Sequence, residues 1–205
     1  VMGQGQPNQE PINTGTGQQA TEVRDFRFPK DHGPHPNFDT EWWYVTGNLH
    51  SQEQPSRRFG FQFTLFRQAL PQSGTPTGQS PSAWRAPALW MEHSALSDSS
   101  AGEFFRSEHF SREALQMAGS QLDSAGLPKL FLGTDSLEFS TPQTLKLQQS
   151  LLSSSKPQKR VQLQLQLESK KSPVLQGQQL NGLSQKGPQK GQASYCYSLP
   201  RLGAQ

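Results

Sequence analysis

Asp31-His32-Gly33-Pro34-His35, followed closely by Glu41-Trp42-Trp43-Tyr44-Val45-Thr46-Gly47-Asn48-Leu49, is the densest chemistry in the chain. Between residues 31 and 44 stand two histidines, three carboxylates (Asp31, Asp39, Glu41), a tyrosine and two of the four tryptophans. Pro34, Pro36 and Gly33 forbid a helix through the first part, because proline lacks an N–H and constrains the residue before it. From Glu41 the residues turn aromatic and β-branched, which predicts a strand ending at Gly47-Asn48. Period-two alternation puts Trp42, Tyr44 and Thr46 on one face and Trp43 and Val45 on the other. A stiff polar loop thus feeds an aromatic strand, a common place for a binding site. As the start of the first core strand, the stretch predicts burial of Glu41, Trp42 and Trp43.

Outward from this strand the same period recurs. Phe59, Phe61, Phe63 and Leu65 alternate with Gly60, Gln62, Thr64 and Phe66 after a turn over 52–58, predicting a hairpin with a buried stripe. Residues 88–96 predict a third strand with Leu89, Met91, His93 and Ala95 opposite Trp90, Glu92 and Ser94. Val161, Leu163, Leu165 and Leu167 alternate strictly with Gln162, Gln164, Gln166 and Glu168, one face core and one face water. Shorter strands are predicted over 104–110, 136–140, 145–149 and 194–199. A brief helix is expected from Ser111 through Met117, and the Pro- and Ser-rich segment 71–82 predicts a long exposed loop. Roughly eight short strands with turns between them predict an antiparallel barrel or sandwich.

Composition excludes several classes. The net charge is only +3 and no basic stripe or RNA-binding motif appears, so nucleic acid is not an expected partner. No apolar run reaches the ~18 residues of a membrane span. The single cysteine, Cys196, has no internal disulfide partner. Residues 1–24 are Gln-, Gly-, Asn- and Thr-rich and predict a disordered polar lead, leaving 25–205 as one β-domain. A start at Val1 and a stop at Gln205, just past a strand-like segment, read as a fragment.

The residues also carry a resemblance. Phe28-Pro29, Asp31-His32-Gly33-Pro34-His35-Pro36 and Glu41 to Leu49 resemble the signature of the AttH-like / carotenoid 1,2-hydratase family. The likeness runs on through Phe59 to Arg67, Met91-Glu92-His93-Ser94-Ala95-Leu96-Ser97-Asp98 and Ser111 to Leu115. It resumes at Val174-Leu175-Gln176-Gly177 and again from Ala193 to Leu202. The resemblance implies an all-β, lipocalin-like (calycin-type) fold with a second β-domain absent from this chain. It implies acid-catalysed addition of water to an isoprenoid or lipid-like alkene, without a cofactor. The alternative is a non-catalytic carrier of a hydrophobic ligand or an exported envelope protein, and the family is also labelled secreted hydrolase. A periplasmic or secreted location goes with either reading, with membrane association and peripheral membrane contact as alternatives. The expected partners are a hydrophobic small molecule and the missing C-terminal domain, without which the chain is expected to be inactive.

Hydration of an alkene needs a proton donor, a surface that tolerates a developing cation, and a positioned water. A carboxyl with a raised pKa can be the donor, and aromatic faces can stabilise the cation. Asp31, Glu41 and His93 are the catalytic candidates. His32, His35, Trp42, Trp43, Tyr44, Phe63 and Trp90 are the ligand-binding ones. No metal is expected: His-x-x-His across Gly-Pro is not a standard ligand spacing, and these side chains serve as well to bond backbone groups freed by the prolines. Glu41 is expected to pair with Arg67 or Arg112, and no Gly-x-Ser-x-Gly elbow supports a serine hydrolase.

Overall fold

A computed structural model describes residues 17–71 and 86–204. Strand follows strand: β1 (Thr40–His50), β2 (Arg58–Ala69), β3 (Ala88–Asp98), β4 (Glu103–Arg112), β5 (Ala118–Leu122), β6 (Pro128–Leu132) and β7 (Asp135–Phe139). β8 (Thr144–Ser153) and β9 (Arg160–Ser169) are again long. Short strands β10 (Val174–Leu175), β11 (Leu183–Gln185), β12 (Ala193–Tyr195), β13 (Tyr197–Ser198) and β14 (Leu202–Ala204) complete the order. Among the described residues the one helical element is a 3-10 turn, Lys30–His32.

All pairings are antiparallel, and the main sheet runs β1-β2-β3-β4-β8-β7-β6-β5. β8 is the branch point. It carries β9 along one edge, while the other holds β7 at 145–148 and β4 only at Leu152 and Ser153. Beyond Arg106, therefore, β4 is no longer paired to β8, and the two halves of the sheet face each other across a core. Phe61, Phe63, Leu65 and Trp90 from one half meet Leu130, Leu137, Leu145, Leu147 and Leu165 from the other. The expected all-β antiparallel architecture holds, as a sandwich rather than a closed barrel. β1 has a strand partner on one edge alone among the described residues.

Several expectations are corrected. Trp42 is 45% exposed rather than buried. Adjacent strand residues point to opposite faces, so only one of Trp42 and Trp43 can enter the core. Trp43 does so, stacking on the fully buried Trp90 with ring centroids 5.7 Å apart. No helix follows Ser111: β4 continues to Arg112, and Leu115 and Gln116 sit at φ 52° and 58°, in the left-handed region a helix excludes. The strand expected over 194–199 is broken at Cys196 into β12 and β13. The boundary expected after residue 24 falls inside the packed region. Ala20 is buried, Gln18 N–H donates to the Asn37 carbonyl, and Tyr195 Oη donates to the Glu22 carbonyl at 2.7 Å. Residues 1–16, and all of the expected 71–82 loop but Pro71, lie outside the described residues.

Candidate functional site

The loop before β1 is held by charge. The 3-10 turn brings Asp31 inward, where one carboxylate oxygen accepts the Arg27 N–H and the other meets His35 Nε2 at 2.7 Å and Arg24 Nη2 at 2.9 Å. On its far side the His35 ring gives Nδ1 to Glu41 Oε1 at 2.9 Å, and the His35 backbone N–H donates to the same carboxylate at 2.7 Å. Arg67, 4% exposed, closes the chain of charges, with Nη1 3.5 Å from Glu41 Oε2 and donating to the Phe38 carbonyl at 3.1 Å. Glu41 thus pairs with Arg67, the first of the two expected arginines. Both carboxylates also take backbone N–H groups of the proline-rich loop, so they fix its shape.

These contacts set protonation. Burial by itself would raise the Asp31 carboxyl, but the Arg27 amide, His35 and Arg24 outweigh it and hold Asp31 below its ordinary range. The Glu41 hydrogen bond leads in lifting the His35 imidazole above its ordinary value, against burial and with help from Asp31. With a carboxylate at each nitrogen, the His35 ring is placed to donate from both. Arg24 Nη2, 3.3 Å from His35 Nε2, is then a contact between two donors, not a hydrogen bond.

Behind this trio lies His32, with no exposed surface. Its ring stacks on Phe139 at 4.2 Å, its Nδ1 meets Tyr197 Oη at 2.8 Å, and its carbonyl accepts from Trp43 Nε1 at 3.0 Å. Burial pushes His32 down to about 4, so the ring is neutral. Burial likewise pushes the Tyr197 hydroxyl up, which makes it a donor throughout the physiological range.

The trio opens onto a cleft of about 2000 Å³ along the free edge of β1. Its lining brings Trp42, Trp43 and Tyr44 of β1 together with Leu137, Phe139 and Leu145 and with Tyr195, Tyr197 and Leu199, and Phe38 packs edge-on to Tyr195 with ring centroids 5.7 Å apart. Asp31, His35 and Glu41 line the same space. Six expected site residues therefore converge: Asp31, Glu41, His35, Trp42, Trp43 and Tyr44. His32 sits in the wall behind. Phe63 and Trp90 do not reach the cleft; both are fully buried in the core, and Trp90 Nε1 donates to Glu113 Oε2 at 2.9 Å. His93 is also elsewhere, beside Glu108 at 3.4 Å on the opposite face of β3 from Trp90 and Glu92.

Arg24, Phe139, Tyr195 and Tyr197 were not foreseen as site residues. Nothing local marks Phe139 or the two tyrosines, which come from strands far along the chain. Arg24 lay in the segment read as disordered. A second trio, Glu92, His109 and Asp135, has its ligating atoms within 4.8 Å of one another and could hold a metal ion.

The AttH-like family profile matches residues 19–205. A crystal structure from Nitrosomonas europaea, of a protein provisionally named AttH, superposes with a TM-score of 0.69 at 27% identity. The match covers 91% of this chain and 50% of that one, so the chain spans half the length of its solved neighbour. No functionally curated protein matches the chain.

Proposed function

We propose, on the premise that the chain belongs to the AttH-like family, that it binds a long apolar molecule of the isoprenoid or fatty class in the β1 cleft. The observation that carries this is the cleft itself. Its volume of about 2000 Å³ is roughly twice the upper end of the usual small-ligand pocket. A small polar metabolite would leave it mostly wet. A long chain could lie along Trp42, Tyr44, Tyr195 and Leu199 with one polar end toward His35. An apolar ligand of this kind accords with a periplasmic, secreted or membrane-associated setting, proposed together with it.

A carotenoid 1,2-hydratase-type reaction is the second reading, favoured by one observation: an imidazole held between two carboxylates on the wall of an aromatic cleft. In that reaction the His35 Nε2–H leaves its hydrogen bond to Asp31 Oδ1 and passes its proton to an alkene carbon, forming a C–H bond and a tertiary cation at the other carbon. The face of Trp43, on the same side of β1 as Glu41, stabilises the cation, water adds to it, and the released proton returns to His35. The donor is His35 rather than Asp31, because Asp31 is held ionised. Since the chain spans half of its solved neighbour, turnover is proposed for the longer protein and binding for these residues.

Titration with a polyene fatty acid, followed by its fluorescence gain and by tryptophan quenching, tests the binding. Saturable binding, weakened in Tyr44→Lys, is the expected result. Non-saturable partitioning, or equal affinity in Tyr44→Lys, rejects it. For hydration, the longer protein should put oxygen from labelled water into an acyclic carotenoid, and His35→Gln should stop it.

A further inference from the structure

Three strands converge on the second trio. Glu92 of β3 and His109 of β4 are direct cross-strand partners, and Asp135 opens β7. His109 Nδ1 lies 3.3 Å from Glu92 Oε2. Glu92 is fully buried and Asp135 is 1% exposed, while His109 is exposed beyond the point where β4 ceases to pair with β8. The trio is therefore enclosed on two sides and open on the histidine side. None of the three lines the β1 cleft.

Its charges do not balance. Among the described residues no lysine or arginine makes an ion pair with Glu92 or Asp135. Asp135 Oδ1 accepts the Ser150 N–H at 3.0 Å and the Thr134 hydroxyl at 3.2 Å, but Asp135 Oδ2 is buried with no hydrogen-bond partner. An unpaired buried acceptor is rare in a folded protein and calls for a partner of its own. Burial pushes both carboxyls above their ordinary range, and Asp135 adds to the rise at Glu92. In this arrangement the site favours a proton or a cation over two free carboxylates.

We propose that Glu92, His109 and Asp135 bind a divalent transition-metal ion of the zinc class, with water completing its coordination on the exposed His109 side. The donor set decides the class. One imidazole with two carboxylates suits borderline ions such as zinc, whereas calcium takes six to eight oxygens and magnesium keeps mostly water. Nitrogen and oxygen ligands at ~2.0–2.2 Å from zinc stand roughly 3–4 Å from each other. The 3.3 Å between His109 and Glu92 already falls in that range, and small side-chain rotations bring in Asp135. The outer contacts are in place. Ser94 Oγ and, at 3.5 Å, Ser107 Oγ donate to Glu92, while Thr134 and Ser150 orient Asp135. A doubly positive ion offsets both carboxylates and supplies the partner that Asp135 Oδ2 lacks.

The competing account is that Glu92 and Asp135 share a proton and take no metal. Chelator-treated protein titrated with Zn²⁺ by calorimetry, and with Co²⁺ by visible absorption, separates the two. One saturable site per chain, a rise in the thermal midpoint with Zn²⁺ and visible cobalt bands are expected. His109→Ala, at an exposed position that should fold, should weaken zinc at least ~10-fold. Asp135→Asn should do the same. Should Asp135→Asn fail to fold, His109→Ala together with Glu92→Gln carries the test. Absence of saturable zinc binding, or zinc binding undiminished in His109→Ala and in Glu92→Gln, overturns the proposal.

Discussion

Asp31, His35 and Glu41 at the cleft, and Glu92, His109 and Asp135 between the strands, are trios of the same kind in opposite electrical settings. The first is built within one short loop and the start of β1, and two arginines close it. Arg24 reaches Asp31 and the buried Arg67 reaches Glu41, so each carboxylate has a cation as well as an imidazole. The second is assembled from three strands, and among the described residues its one basic partner is the exposed His109. The carboxyl of Asp31 is accordingly held down, whereas those of Glu92 and Asp135 are pushed up. Carboxylates and histidines alone do not define a site. The counter-charges around them decide whether a trio shapes a loop or awaits a ligand.

The same substitution should therefore have opposite signs in the two places. Among the described residues, Glu41→Gln leaves the buried Arg67 with only Glu113, 3.9 Å away, as its carboxylate partner. Losing one member of a buried pair should cost about 3–5 kcal/mol in urea unfolding. A cost below ~1 kcal/mol would break the comparison, because Arg67 would then be satisfied without Glu41.

Glu92→Gln, with metal removed by chelator, should be stabilising at neutral pH. The Glu92 carboxyl is raised from 4.5 to about 7, so between those values the folded chain keeps a proton that the unfolded chain has released. Stability of the parent chain then falls as pH rises through this window, and full loss amounts to about 3 kcal/mol. The advantage of Glu92→Gln should grow from pH 4.5 to 7 and level off above it. A difference flat with pH would mean that Glu92 is not strained by its surroundings.

The smallest expected effect lies on the exposed face of β1. Trp42 follows Glu41 directly but is 45% exposed on the other face of β1. Trp42→Ala should cost under ~1 kcal/mol, well below the roughly 3–5 kcal/mol of a buried tryptophan. A larger loss would show that the rim of the cleft is part of the stabilising core.

Much of this was legible in the residues. The alternation at 161–167 and 59–65 named the core faces of β9 and β2, because a strand under one-sided burial must show period two. The crowding at 31–44 named the loop trio, because all of its histidine and carboxylate members lie within one local segment. The strands β5 and β6 were missed: Ala118–Leu122 has small and polar residues where a strand signal needs β-branched or aromatic ones, and Pro128–Leu132 opens on a proline.

By itself, then, the sequence determined what is local: the antiparallel β class, the faces of the long strands, the rigid loop and the Asp31–His35–Glu41 chemistry within it. Only the tertiary structure decided what is joined across distance. It brought Tyr195 and Tyr197 to line one cleft with Trp43, sent His93 away from Asp31, and set Asp135 beside Glu92. The physical reason is that alternation fixes the side of a strand on which a residue lies, but not which strand will face it. That second choice is made at β8, where β4 parts from its neighbour and the sheet folds over its own core.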